Sequence, residues 1–227
     1  MKVIASNALD AVLRELVPEF ERASGSQVSV TYLSTNQILE RVKAGETADL
    51  LIAGRTAIDE LAAAGKVAAG SATDLAASGI GVCVRQGASK PDIGSVEAFK
   101  RALLAAKSVA HTATGQSGSY FAGLIDRLGI GDAVRAKAKV SAGGIIGEFV
   151  ARGEAELGIQ QISEVFAVPG VVLVGPLPPE IQKVTVFSAG TCSSSREQDT
   201  ARALVRFLTN DTSVAAMKAK GLEPVRS

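Results

Sequence analysis

The chain has 227 residues and is 47% hydrophobic, with a mean hydropathy of +0.24. It is long enough for one large domain or two lobes of about 100 residues each, and too apolar for extended disorder. With 24 Lys and Arg against 23 Asp and Glu, the formal charge is +1. No basic footprint for nucleic acid is expected, and any charged-ligand site must be built locally.

Val3-Ile4-Ala5 reads as a first strand, and Leu9, Val12, Leu13, Leu16 and Phe20 follow at helical spacing. Gly25 closes that helix, and Val28 to Leu33 reads as the next strand. Ile38, Leu39 and Val42 mark a second helix ending at Gly45. Asp49 to Ala53 is a buried strand, and Ile58, Leu61 and Ala62 mark a third helix before Gly65. This alternation predicts a parallel sheet with helices packed on it.

Thr73 to Gly81 is less regular, and Ile80 to Val84 restarts a strand. A second α/β stretch follows. Val96, Phe99 and Leu103 share a helix face, Ser108 to Thr112 reads as a strand, and Tyr120, Leu124, Ile125 and Leu128 form a face ended by Gly129. A further helix carries Ile145, Ile146, Phe149 and Val150, before strand Leu157-Gly158-Ile159. Val171 to Val174 and Val184 to Phe187 read as two more strands, and helical segments near Arg196–Leu208 and Ser213–Lys220 end the chain. The expected division is residues 1–79 plus 187–227 as one lobe and 80–186 as the other, with a ligand cleft between them.

No stretch approaches about 18 uninterrupted apolar residues, so no membrane span is expected. Cys83 and Cys192 stand alone among small or apolar neighbours, with no metal spacing and no CxxC; they read as free structural thiols, although a bridge between them is open. Met1-Lys2-Val3-Ile4-Ala5-Ser6 enters a strand at once. The chain as written is therefore expected in the cytoplasm, or in the periplasm if a leader has been removed.

The junctions between strand and helix carry the functional signal. Four of them hold small hydroxyl, amide or glycine residues: Ser6-Asn7-Ala8, Ser34-Thr35-Asn36, Ser117-Gly118-Ser119 and Gly143-Gly144. A helix start leaves several N–H groups unpaired and carries partial positive charge, which makes it an anion seat. Hydroxyls and amides add neutral donors, and glycine lets an anion approach the backbone. Any helix can use the same residues as ordinary caps. In open α/β sheets, however, such loops lie beyond the carboxyl ends of the strands, where ligands bind.

The sequence resembles the molybdate-binding, ModA-like family of type II periplasmic solute-binding proteins. The landmarks are Phe20-Glu21-Arg22-Ala23-Ser24-Gly25 and Ala44-Gly45-Glu46-Thr47-Ala48-Asp49-Leu50-Leu51-Ile52-Ala53. Further on come Ser117-Gly118-Ser119-Tyr120 with Arg127-Leu128-Gly129, and Gly153-Glu154-Ala155-Glu156-Leu157-Gly158-Ile159. The resemblance implies an α/β fold of two lobes, each a mainly parallel sheet flanked by helices, with the last segment returning to the first lobe. Carried over residue by residue, the family's oxyanion site falls on Ala8 in place of a serine, with Ser6 and Asn7 nearby. It continues on Ser34, Thr35 and Asn36, on Ser117, and on a backbone donor near Gly143 or Gly144. The family's tyrosine after the Gly-Ile strand falls on Gln161. The missing serine and tyrosine point away from molybdate in particular.

Among the remaining candidates, Arg55 follows the Leu50–Ala53 strand, where its guanidinium could hold a carboxylate at two points or simply open a solvated helix. His111, the only histidine, reads as a ligand contact, an acid/base group or a packed strand residue. Tyr120 reads as cleft wall or lobe packing. Glu164, after Gln161, could supply a base or be a solvated helix start. No phosphate loop, HExxH or GxSxG motif is present, and no cofactor or metal is expected.

The expected function is binding of a small anionic ligand, a molybdate-like oxyanion or an organic carboxylate, as the solute-binding component of an ABC-type transporter or a related sensor. The partner this implies is the transporter permease, and the expected state is a monomer. The alternative is a cytoplasmic isomerase on the same scaffold acting on a tricarboxylate such as aconitate, since aconitate isomerase resembles ModA-like proteins.

Overall fold

A computed structural model describes residues 1–225. They form two compact units, Met1–Ser78 together with the segment from Thr185 onward, and Gly79–Val184.

In the first unit β1 (Lys2–Ser6) passes through a 3-10 turn (Asn7–Leu9) into α1 (Asp10–Ser24). Leu9, Val12, Leu13, Leu16 and Phe20 are all buried, each contributing roughly 1.5–3 kcal/mol by leaving water. Gly25 ends the helix at φ 72°, a left-handed conformation that costs glycine little. β2 (Ser29–Leu33), α2 (Thr35–Lys43), β3 (Leu50–Gly54) and α3 (Arg55–Ala63) follow. β1 lies between β2 and β3 and is parallel to both, with Ser6 opposite Leu33 and Ala5 opposite Ile52. The turns after these three strands therefore emerge along one edge of the sheet.

β4 is a single strand, Thr73–Arg85. The sequence around Thr73–Gly81 reads as irregular because Ser78, Gly79 and Gly81 interrupt the apolar pattern. Packing accounts for Gly81: a Cβ there would stand 2.8 Å from Ile162 Cγ1 and 2.9 Å from Leu173 Cδ1.

The second unit continues with α4 (Val96–Ala105), β5 (Val109–Thr112), α5 (Gln116–Arg127), α6 (Gly131–Arg135) and β6 (Ala138–Ser141). Then come α7 (Gly147–Ala151), β7 (Leu157–Gln161), the short α8 (Ile162–Val165) and β8 (Val171–Pro176). β5 is the parallel centre, flanked by β6 and β7, while β7 and β8 pair antiparallel with β4. Phe99, Leu103, Phe121, Leu124, Ile125 and Ile159 anchor the core. The sequence reading missed α6 and β6. β6 runs along the edge of the sheet with Val140 55% exposed, so it has no buried face to give an alternating pattern.

The chain returns to the first unit through β9 (Val184–Thr191), α9 (Gln198–Leu208), α10 (Asp211–Ala219) and β10 (Glu223–Pro224). β9 pairs antiparallel with β3. Leu204, Leu208 and Met217 join the α1 core, and Phe20 meets Phe207 at 5.6 Å between ring centroids. Both cysteines are free and buried, and burial pushes the Cys83 thiol up to about 12. No helix among the described residues is long and apolar enough to cross a membrane.

Candidate ligand-binding site

In the first unit, the parallel strands deliver Ser6, Ser34 and Gly54 to the same edge. Ser6 is 4% exposed and its hydroxyl accepts the Ala8 N–H at 3.4 Å, a long and weak cap. Asn7 is buried beside it. Ser34 is fully engaged as a cap: its hydroxyl accepts the Gln37 N–H at 3.3 Å while the Gln37 side chain accepts the Ser34 N–H at 3.0 Å, a reciprocal box. Thr35 is buried, and its hydroxyl accepts the Gly54 N–H at 3.1 Å, tying the turn after β2 to the turn after β3. Asn36 is half-buried on the first turn of α2.

Arg55 opens α3 and is already committed. Its guanidinium donates to Asp59 and to Asp74, both at 2.8 Å, and Asp74 also accepts the Ser188 hydroxyl at 2.5 Å. Burial works against the Asp74 carboxylate, but the Ser188 bond and Arg55 hold it below the usual range. The expected two-point grip on a ligand carboxylate meets two protein carboxylates already in place.

In the second unit, β7, β5 and β6 end at Gln161, Thr112 and Ser141 along one edge. α5 begins there. Its cap is Gly115, which supplies no side-chain hydrogen bond, so the first-turn N–H groups keep their donor capacity. Ser117, 4% exposed, sits in that turn. Gly118 has a packing reason of its own, since a Cβ there would stand 1.9 Å from the Thr112 carbonyl oxygen.

Gly143 and Gly144 do not start a helix. They lie in the bend after β6, and α7 begins at Gly147. The Gly143 N–H already donates to the Ser141 hydroxyl at 3.3 Å, while Gly144 takes φ 84°. The run of small residues near Ile145 suggests a helix start, but the turn needed to leave β6 consumes them. The loops after β5 and β6 are joined by Thr114, whose hydroxyl donates to the Ala142 carbonyl at 2.7 Å.

His111 is 6% exposed. Its Nδ1 meets the Thr112 carbonyl at 3.0 Å, so this nitrogen carries the proton. Burial lowers its pKa, with the carbonyl bond acting weakly the other way, and the ring packs edge-on against Phe121 at 5.2 Å. A neutral, packed imidazole results. Tyr120 likewise serves its own unit, donating to the Ile181 carbonyl at 2.9 Å.

Gln161 is 3% exposed and stands at the N-cap position of α8 without a side-chain cap bond. Glu164 follows it in the first turn of α8 and is half-buried; burial pushes its carboxyl up to about 8, against a backbone hydrogen bond from Gln161. No ion pair with Glu164 occurs among the described residues. Sequence reasoning also missed Thr112, whose buried hydroxyl has no hydrogen-bond partner among the described residues, and Gln160, which is fully buried and accepts the Gly147 N–H at 3.1 Å to fix the start of α7. Buried glutamines at a strand end give no local signal that separates them from solvated ones.

No group of acidic, cysteine and histidine side chains suited to a metal ion occurs among the described residues. A cavity of about 430 Å³ in the first unit is lined by Ser71, Thr191, Arg202 and Arg206. Thr191 pairs with Leu50, the first residue of β3, so this cavity lies at the opposite edge from Ser6 and Gly54.

The family model of bacterial extracellular solute-binding proteins matches residues 1–223. The chain belongs to this family. The chain is similar to an aconitate isomerase from a Pseudomonas species, 37% identical over 231 residues, covering 99% of this chain and 88% of that one. The periplasmic molybdate-binding protein of Azotobacter vinelandii superposes with a TM-score of 0.81 at 18% identity, covering 100% of this chain and 99% of that one. The sulfate-binding protein SubI of Mycobacterium tuberculosis gives 0.76 at 19% identity, covering 99% and 86%. These likenesses establish the fold, that of the type II periplasmic binding proteins and their ModA-like members.

Proposed function

We propose that this solute-binding protein takes a small oxyanion or carboxylate at these strand ends, as the binding component of an ABC-type transporter or as a related anion sensor. The observation that carries the reading is the start of α5, where a cap without a side-chain bond and a buried Ser117 leave neutral donors in one turn. A ligand that binds only the folded state stabilises it by mass action. Thermal-shift screening of molybdate, tungstate, sulfate, phosphate, citrate and aconitate tests it. A rise in melting temperature with at least one anion is expected; no shift at millimolar concentration would remove the support.

A second reading is an isomerase acting on a tricarboxylate such as aconitate. It is favoured by the relative at 37% identity. Interconversion of cis- and trans-aconitate followed by proton NMR tests it.

A further inference from the structure

The cavity of about 430 Å³ in the first unit, at the edge away from Ser6 and Gly54, has no task in the anion-binding reading. Its volume falls in the range of small-molecule sites, roughly 300–1,000 Å³. One wall is a face of α9. Gln198, Arg202 and Arg206 line it at four-residue spacing and so share one side of the helix, with Val205 beside them. Ala201, Leu204 and Leu208 take the other side into the core, which fixes the face that the arginines present. Ser71 holds the facing wall. Its hydroxyl donates to the Ala68 carbonyl at 2.7 Å and accepts the Thr191 N–H at 3.1 Å, pinning the loop after α3 to the end of β9. Thr191 lines the cavity and is 4% exposed. Its hydroxyl makes no hydrogen bond among the described residues, which leaves a donor for whatever fills the cavity. Charge there is unbalanced as well. Arg202 pairs with Asp199 at 2.7 Å, while Arg206 makes no ion pair or side-chain hydrogen bond among the described residues.

We propose that this cavity is a second binding site, separate from the strand-end site, and that it takes a small organic phosphate. A phosphate monoester carries close to two negative charges and three strong acceptor oxygens, which matches two guanidiniums and one hydroxyl better than a carboxylate does. Arg202 and Arg206 grip the phosphate oxygens with their planar donor forks, and the Thr191 hydroxyl donates to another. Ala68 and Val205 cover the apolar body of the ligand. Occupancy clamps α9 to the loop after α3, both within the first unit.

The test is a proton–nitrogen NMR titration of the full chain with phenyl phosphate, and in a second arm with inorganic phosphate. Saturable shifts are expected at the Gly70, Ser71 and Thr191 amides, with phenyl phosphate the tighter of the two ligands. Arg206 is exposed, so Arg206→Gln should keep the fold, seen as an unchanged spectrum away from α9. It should weaken binding at those amides by about 10-fold, the loss of a charge-assisted hydrogen bond. Arg202→Gln, on the same face, should weaken it in the same direction. Unchanged affinity in both variants, or shifts that never saturate, would overturn the second site. Shifts confined to the loops at Ser6 and Ser117 would overturn it too, while leaving the anion-binding reading intact. Inorganic phosphate binding at these amides as tightly as phenyl phosphate would overturn the organic body of the ligand.

Discussion

The Thr35 hydroxyl accepts the Gly54 backbone N–H at 3.1 Å, so one buried side chain locks the start of α2 to the start of α3. Thr35→Val keeps the shape and removes the acceptor. The stranded N–H should cost about 1–3 kcal/mol, read as a lower urea midpoint with an unchanged slope. An unchanged midpoint would show that the bond contributes nothing.

Two glycines should respond to alanine for different reasons. At Gly118 the added Cβ would meet the Thr112 carbonyl oxygen at 1.9 Å, forcing α5 away from β5 at a cost of about 1–3 kcal/mol or more. At Gly144 nothing lies within 4 Å, but φ is 84°, so Gly144→Ala should cost about 1–2 kcal/mol through backbone strain alone. Chemical denaturation of both variants separates the two, with Gly118→Ala the more damaged.

Much of this was legible in the sequence because apolar spacing reports burial. Leu9 to Phe20 announce α1, and the strand–helix alternation announces the parallel sheets. β6 was not legible, since an edge strand with exposed Val140 buries nothing that repeats. Small hydroxyl residues were legible at the junctions: Ser6 ends β1, Ser34 caps α2 and Ser117 lies in the first turn of α5. It also shows what local sequence does not encode: Arg55 is claimed by Asp59 and by Asp74, which lies nineteen residues further on. Similarly, Glu164 looks like an ordinary helix-start glutamate until its neighbours are in place.

Glu164→Gln should change the pH dependence of stability. Burial holds the folded-state carboxyl at about 8 against an ordinary 4.5, so the native state keeps a proton that the unfolded chain gives up. Wild-type stability from this group is full below the unfolded value and is lost as pH rises through the folded one. Glutamine does not titrate. The variant should therefore match the wild type near pH 4 and exceed it above pH 8, by roughly 1–3 kcal/mol allowing for partial exposure. Melting curves across that range check this, and equal curves would contradict the burial of the carboxyl.

Arg55→Ala should act on acid stability. Burial opposes the Asp74 carboxylate, but the Ser188 hydroxyl and Arg55 hold its folded pKa below the ordinary 3.8. That stabilisation is present above the unfolded value and is lost as pH falls through the folded one. Removing Arg55 should move the acid-unfolding midpoint to higher pH, with a small effect at pH 7 because the pair is exposed. Ligand affinity should not change, since the guanidinium is already paired. A large loss of affinity would return Arg55 to the site.

The most direct measurement is isothermal titration of wild type and Ser117→Ala with the anion that gives the largest thermal shift. Unliganded melting is measured alongside to separate any loss of helix capping. The account predicts one-to-one binding by the wild type and weaker binding by the variant, by about 0.5–1.5 kcal/mol for a neutral hydrogen bond or more if the partner is charged. Equal affinities would contradict the claim that the start of α5 holds the ligand.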